Sequence, residues 1–313
     1  MPEVGGRVTL WGIEVFLAVA DEGSVTAAAR RLGVSAPAIS QQIAAVEATL
    51  SVALFDRSAR PFALTQAGAL FRRHAQGIVN AEAEARADLA RAGAAPITTL
   101  RFGMIEDFDA DVTPALLSGL AAAMPGCRFL LETGPSHRLM DGLETRALDL
   151  VVAADMAVDR AGAGWRDVHP LMVDPFVAIR PRGAPDVPLI LYSGRHLMGR
   201  QIAAWLEAQP LRHPVRFELD SYPSILAMVA QGQGWTILTP LALLHAERFL
   251  DAVEVTPLKG AAMERRLSLS ARKGMLQEVP SAVIAALRAH LSALVIAPAL
   301  GRWAWLAPHL RLL

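Results

Sequence analysis

Between Leu10 and Asp21 the apolar residues Leu10, Ile13, Phe16, Leu17 and Ala20 recur at three- and four-residue intervals, the period of one helix face, and Gly23 follows as a stop. Ser24 then offers an N-cap to a short helix carrying Ala27, Ala28, Ala29 and Leu32, closed by Gly33. Ser35 caps a third helix, in which Pro37 is tolerated because first-turn amides lack intrahelical partners. There Ile39, Ile43, Val46 and Leu50 form one stripe and leave Ser35, Ala36, Ser40, Gln41 and part of Gln42 on the other side. Thr65 is the next cap, and from Gln66 to about Arg91 no proline intervenes, which predicts a helix about 40 Å long at 1.5 Å per residue. In it Ala67, Phe71, His74, Ile78, Ala81 and Ala85 alternate by four and three, the a/d spacing of a coiled-coil seam; the alternative is a surface helix lying on its own domain. Residues 93–96, Gly93 to Pro96, read as a hinge.

From Leu100 the rhythm changes to short apolar runs alternating with amphipathic segments. LRFGMI, CRFLLETG and LDLVVAA predict strands, with helices from Pro114 to Met124 and from Ser136 to Thr145. A second set follows: PFVAIRP, PLILYS, VRFELD and WTILTP as strands, with helices near His196 to Ala208 and Pro223 to Gln231. RRLSLSARK predicts a returning strand and Ser281 to Val295 a closing helix. Such alternation predicts parallel βαβ units with helices covering the sheet.

In open α/β sheets ligands sit beyond the carboxyl ends of the strands, where helix N-termini point their amides. That rule nominates Glu106, Asp107 and Phe108 after the first strand, Gly134, Pro135 and Ser136 after the second, and Asp155 after the third. In the second set it nominates the loop Tyr192 to His196, Ser193 included, and Asp220, Ser221 and Tyr222. Glu106, Asp107, Asp109, Asp111, Asp155 and Asp220 make this collection acidic. They either cap helices and face solvent or neutralise a cationic or zwitterionic ligand, with Trp165, Trp205 or Trp235 as a possible cation–π wall.

At 313 residues the chain is expected to hold more than one domain, and its zero formal net charge provides no global attraction to nucleic acid. Locally the balance differs. Between Ser24 and Arg73 stand Arg30, Arg31, Arg57, Arg60, Arg72 and Arg73 against only Glu47 and Asp56, a surplus of four positive charges. Two short helices joined by a tight Gly-containing turn suit placement of the second in a major groove, where Ser and Gln read base edges and Arg meets phosphates. The same spacing also fits an ordinary helical hairpin with a polar outer face. Cys127 is the sole cysteine, so no disulfide forms within the chain, and nothing at the N-terminus reads as a secretion signal; a reducing cytoplasm is expected. Near the end, LSALVIAPALGRWAWLAPHL is apolar but interrupted by Pro298, Arg302 and Pro308, and is expected to pack on protein rather than enter a membrane.

The run SVTAAARRLGVSAPAISQQIAAVEATLSVALFDRSARPFALTQAG resembles the helix-turn-helix and wing of LysR-type transcriptional regulators. It carries Ser24, Ala28, Ala29, Leu32; Ser35, Pro37, Ser40, Ile43, Glu47; Leu54, Phe55, Arg57; and Leu64, Thr65, Ala67, Gly68. The resemblance implies a wing over Phe55 to Leu64, and DNA contacts from Ser24, Arg30, Arg31, Ser35, Pro37, Ser40, Gln41, Gln42, Arg57 and Arg60. Two departures stand out. Ala36 replaces a frequent Gln, which shifts base reading toward Ser40 and Gln41, and Ser51 replaces a frequent Gly, which puts the cap of the third helix in question.

The fold expected from this resemblance is α+β and multidomain. A winged helix-turn-helix occupies 1–64, a linker and dimerisation helix with its hinge 65–95, and a two-lobed α/β effector-binding domain, similar in shape to periplasmic solute-binding proteins, 96–298. Lobe one is expected at about 96–168 and 270–298, lobe two at about 169–269, and an extension of unassigned role at 299–313. Implied partners are double-stranded DNA with a dyad-symmetric site, a small-molecule inducer held between the lobes, and further copies of the chain, as a homodimer through the linker helix and a homotetramer.

No enzyme is indicated. The histidines show no i, i+4 metal pair, Gly232-Gln-Gly234 is a fragment of a dinucleotide fingerprint in the wrong context, and Ser193-Gly194 lacks a nucleophile elbow's flanking glycine. No metal or cofactor is expected. A solute-binding or transport protein is the competing class, but it leaves the first ninety or so residues without a purpose.

Overall fold

The computed structural model describes residues 7–56, 62–91, 97–155, 165–183, 187–209, 213–244, 246–258, 260, 262–273, 276 and 279–313. Arg57, Arg60 and the expected hinge at 93–96 lie outside the described residues. The chain divides into two units, residues 1–96 with 144–147, and residues 97–143 with 148–313.

In the first unit α1 (Leu10–Glu22), α2 (Val25–Leu32) and α3 (Ala36–Leu50) form where the apolar period predicts them. Thr9, Ser24 and Ser35 each accept an amide hydrogen bond at a helix start, and Gly23 and Gly33 close the first two helices at φ 59° and 70°. The third cap closes despite its departure: Ser51 takes the left-handed conformation at φ 54°, and the Ser51 and Val52 amides reach Ala48 O and Glu47 O. A two-stranded wing, β1 (Phe55–Asp56) and β2 (Ala63–Leu64), pairs antiparallel, with Phe55 opposite Leu64.

The densest part of the family motif fixes the junction of wing and linker helix. Glu47 accepts hydrogen bonds from the Leu54 and Phe55 amides at 2.8 and 3.2 Å. Thr65 Oγ1 donates to Ala53 O at 2.8 Å and accepts from the Gly68 amide at 3.0 Å, capping α4 (Gln66–Arg91). A Cβ on Gly68 would lie 2.0 Å from Leu54 O, so the backbone approach admits only glycine.

The core of this unit is aromatic, with Phe16 against Phe55 and Phe71 at ring separations of 5.2 and 4.9 Å. That packing corrects part of the expected seam. Ala67 and Phe71 turn inward with Ala75 and Val79 onto their own domain, while Leu70, His74, Ile78 and Ala85 are exposed.

The second unit begins with a parallel set, β3 (Thr99–Met104), β4 (Arg128–Thr133) and β5 (Leu150–Ala154), crossed by α5 (Val112–Ala123) and α6 (Ser136–Glu144). The chain then runs along β6 (Arg166–Pro175) into β7 (Val177–Pro181), β8 (Leu189–Tyr192), α7 (Leu197–Glu207), β9 (Val215–Leu219), α8 (Tyr222–Ala230), β10 (Thr236–Leu238), α9 (Pro240–Leu244) and β11 (Val253–Pro257). It returns on β12 (Glu264–Arg272) and closes with α10 (Val279–Leu291), a π turn over Ser292–Ile296, α11 (Ala297–Arg302) and β13 (Arg311–Leu312).

The first lobe is built on a six-stranded sheet of order β13-β6-β12-β5-β3-β4, and the second on β10-β7-β11 with the parallel pair β8-β9. Because β6 and β12 lie in the first sheet, the chain crosses near Phe176 and again between Pro257 and Glu264, not near 168 and 269. Only part of the assembly is parallel. Strands that leave and re-enter a lobe must run against their neighbours, so β6, β12 and β5 pair antiparallel, as do β7, β10 and β11. Strand β6 was not expected, since the apolar pattern begins the next strand only at Pro175. Pro170 falls at the irregularity in the β6–β12 register, where a strand tolerates a residue without an amide proton.

Among the described residues one helix, Val279–Arg302, is long and apolar enough to cross a membrane. Its Val283, Leu287, Leu291, Val295 and Ala299, spaced four apart, form a stripe buried in the core of the second unit.

Gly68→Ala is expected to cost more than about 2 kcal/mol, because backbone cannot yield to a Cβ as a side chain can. Gly119→Ala, on a face of α5 where an added Cβ meets nothing, should stabilise by about 0.5–1 kcal/mol. Urea unfolding of both variants checks the contrast, and equal effects would contradict it.

Candidate functional site

On the first unit, α3 presents Ser35, Pro37, Ser40 and Gln41 to solvent while Ile39, Ile43 and Val46 are buried; Gln42 is half-buried. Ser24 is engaged as the cap of α2, and Arg30 is exposed. Arg31 is also exposed, but its guanidinium stands 3.4 Å from both Asp21 and Glu22, so a phosphate would compete with these carboxylates. Arg72 likewise pairs with Asp21 at 2.7 Å.

In the second unit the loops after β3 and β4 meet the starts of α7 and α8 across a cleft. Its walls include Glu106, Asp107, Gly134, Pro135 and Ser136 from the first lobe, Tyr192, His196, Gln201 and Tyr222 from the second, and Arg265 from β12. The cavity is about 40 Å³, room for roughly three waters. The two tyrosine rings are 4.9 Å apart and tilted by 33°, and His196 lies 5.1 Å from Tyr192.

Beneath the cleft Arg265, with its side chain 5% exposed, binds Asp174 through Nε at 2.9 Å and Nη2 at 2.8 Å. Nη2 also donates to Thr239 Oγ1 at 3.0 Å, and Nη1 donates to Asp107 Oδ2 at 3.4 Å. Burial works against charge on Arg265, but Asp107 and then Asp174 outweigh it and hold the guanidinium more firmly protonated than usual. Burial raises the Asp174 carboxyl, opposed chiefly by Arg265. It also pushes Tyr192 up to about 12 and Tyr222 well above its ordinary value, with the negative charge of Asp107 adding to both.

Residues 10–69 match the bacterial regulatory helix-turn-helix protein model of the lysR family, and residues 93–292 match the LysR substrate binding domain. The chain belongs to the LysR family. It is 37% identical over 257 residues to the HTH-type transcriptional regulator TfdS of Cupriavidus pinatubonensis, covering 78% of this chain and 86% of that protein. It is 33% identical over 215 residues to a probable hydrogen peroxide-inducible genes activator of Mycobacterium avium, covering 64% and 68%. Among solved structures, a full-length OxyR variant from Pseudomonas aeruginosa aligns with a TM-score of 0.65 at 25% identity, over 90% of this chain and 95% of that one. Full-length CbnR complexed with its target DNA shares the fold, with a TM-score of 0.58 at 19% identity over 91% and 99%. As a LysR-type protein the chain is a DNA-binding transcriptional regulator with an effector-binding domain, and not an enzyme.

In this LysR-type regulator the sequence rule for strand ends brings Glu106, Asp107, Gly134, Pro135, Ser136, Tyr192, His196 and Tyr222 to one cavity. The other nominees fall elsewhere. Phe108 is a core residue at 1% exposure, because the 3₁₀ turn over Glu106–Phe108 points it inward. Asp155 is exposed, Ser193 is buried and donates to Glu218 at 2.9 Å, Asp220 pairs with Arg195 at 3.0 Å, and Ser221 caps α8. The tryptophans do not line the cleft: Trp235 stacks under Arg180 at 4.3 Å, and Trp205 packs on the core. Arg265 and Gln201 were not anticipated. The strand RRLSLSARK carried a signal, since Arg265 shares the inward phase of Leu267 and Leu269.

Arg265→Met should destabilise by about 3–5 kcal/mol, because it strands two buried carboxyl groups; a loss under about 1 kcal/mol in urea melts would contradict the ion cluster. Tyr192 and Tyr222 are the only tyrosines, so tyrosinate absorbance reads the cleft directly. The folded protein should show none near pH 10 and one ionisation at about 12. With both folded-state values raised above the unfolded one, this contribution to stability is complete below pH 10 and lost as pH rises through about 12.

Proposed function

We propose that this regulator reads a dyad-symmetric site with α3 and is switched by a small molecule bound between the lobes of its effector domain. The observation that carries the DNA part is the division of α3, with its aliphatic stripe buried and Ser35, Pro37, Ser40 and Gln41 outward. Uncharged donors and acceptors at Ser40 and Gln41 suit base edges in a major groove, with Gln42 at the margin. Arg30, Arg31 and Ser24, together with Arg57 and Arg60 of the wing segment, are assigned to the backbone. The solved CbnR complex with target DNA supports the docking mode.

The exposed stripe Leu70, His74, Ile78 and Ala85, with Ala81 half-buried, lies on α4 beside the inward-packed Phe71, and His74, Ile78, Ala81 and Ala85 follow the heptad. We assign the homodimer to this stripe, with two dimers forming the tetramer that acts in the cytoplasm. For the switch, the inter-lobe cleft gathers side chains from both lobes, so occupancy acts on their relative placement. The name of the Mycobacterium avium relative raises peroxide as a signal. A disulfide within one chain needs two cysteines, and the sequence holds Cys127 alone, whose thiol burial and Asp149 push up, away from the reactive thiolate. A bound inducer fits this chain better.

Gel shifts at several salt concentrations test the reader. Gln41→Ala should relax base preference, by about 1–3 kcal/mol at one position, while Arg30→Ala should weaken binding to all sequences and lower the salt slope by about one. Equal losses on specific and random DNA for both variants would overturn the assigned roles.

A further inference from the structure

We propose that the inducer presents a small organic cation, an ammonium or amidinium head, held between Asp107 and Gln201 and covered by the Tyr192 and Tyr222 rings. This rests on the reading of the cleft as the inducer site. Two buried acceptor atoms line that cavity: Gln201 Oε1 receives no hydrogen bond, and Asp107 Oδ1 has only its ion pair with Arg265 Nη2 at 3.3 Å. The Asp107 side chain is only 3% exposed, so bulk water does not solvate it. Buried acceptors short of donors favour an occupant that itself donates.

Charge points the same way. The two carboxyl groups of Asp107 and Asp174 face the single guanidinium of Arg265, which Asp174 engages through two nitrogens, and Glu106 adds a third carboxyl at the cavity. Burial is the main cause of the rise of both tyrosine hydroxyls, and the negative charge of Asp107 adds to it against Arg265. Paired aromatic faces add an attraction specific to cations. A cavity of about 40 Å³ admits a head group of ammonium size without moving the ion cluster.

Calorimetry on the full-length protein tests this with methylammonium, guanidinium and n-propylamine against propionate and n-propanol. The cations should bind and propionate should not. Asp107→Asn should weaken cation binding by about ten-fold or more, the loss expected of one charged hydrogen bond. Because that variant disturbs Arg265, Gln201→Leu provides a second readout outside the ion cluster and should also weaken cations while leaving the melting temperature unchanged. Propionate binding without cation binding, weakened when the cleft is filled by Ala154→Trp, overturns the cation and leaves the cleft standing. Cation binding unaffected by all three variants overturns the cleft as the site. Binding by none of the probes overturns the proposal.

Discussion

The pairing of Arg265 with Asp174 is the constraint on which the effector domain depends. Asp174 stands at the end of β6, one step before the chain leaves the first lobe, and Arg265 stands at the start of β12, one step after it returns. The two strands exchange their register partners at this point, Arg265 opposite Asp174. A fully buried ion pair is costly to desolvate and tolerable only when its hydrogen-bonding capacity is filled. Here Thr239 and the Leu241 amide, both at the start of α9 in the second lobe, complete the set. The chain crossings, a second-lobe helix start and the floor of the cleft therefore meet at one charged cluster.

That arrangement explains why the cleft is electrostatically poised. The guanidinium is committed to the cluster below, and what it offers upward is a looser contact with Asp107, Nη1 at 3.4 Å from Oδ2 and Nη2 at 3.3 Å from Oδ1. Asp107 and Gln201 Oε1 both border the cavity above. In water such acceptors are satisfied at no cost; between closed lobes they favour whatever supplies donors. Asp107 and Gln201 come from opposite walls of the cleft, one from each lobe.

The DNA-reading unit was largely legible in the sequence because its constraints are local. Caps at Ser24 and Ser35, the turn at Gly33, the Glu47 bonds to two nearby amides and the Gly68 approach to Leu54 all act within about twenty residues. The same heptad nonetheless misassigned Ala67 and Phe71, since a helix that packs on its own domain and offers a seam to a partner carries two apolar stripes, and spacing does not say which faces inward. The cleft was half legible. Strand ends found Asp107, Ser136 and Tyr222, but Arg265 lies 158 residues from Asp107, a juxtaposition that only the return of β12 creates. Asp155 and Asp220 satisfied the same rule and were turned outward or engaged by Arg195, a choice set by tertiary packing.

The last strand gives the hinge an unusual support. Arg311 and Leu312 lie against Val173 and Met172, and the Leu313 amide reaches Leu171 O, so the terminal residues form a third rail beside the part of β6 that leads into Asp174. A two-stranded connection bends readily, whereas one splinted on its open edge resists flexing until the splint lifts. The carboxyl-terminal segment thus braces the edge of the first sheet at the place where the chain leaves for the second lobe.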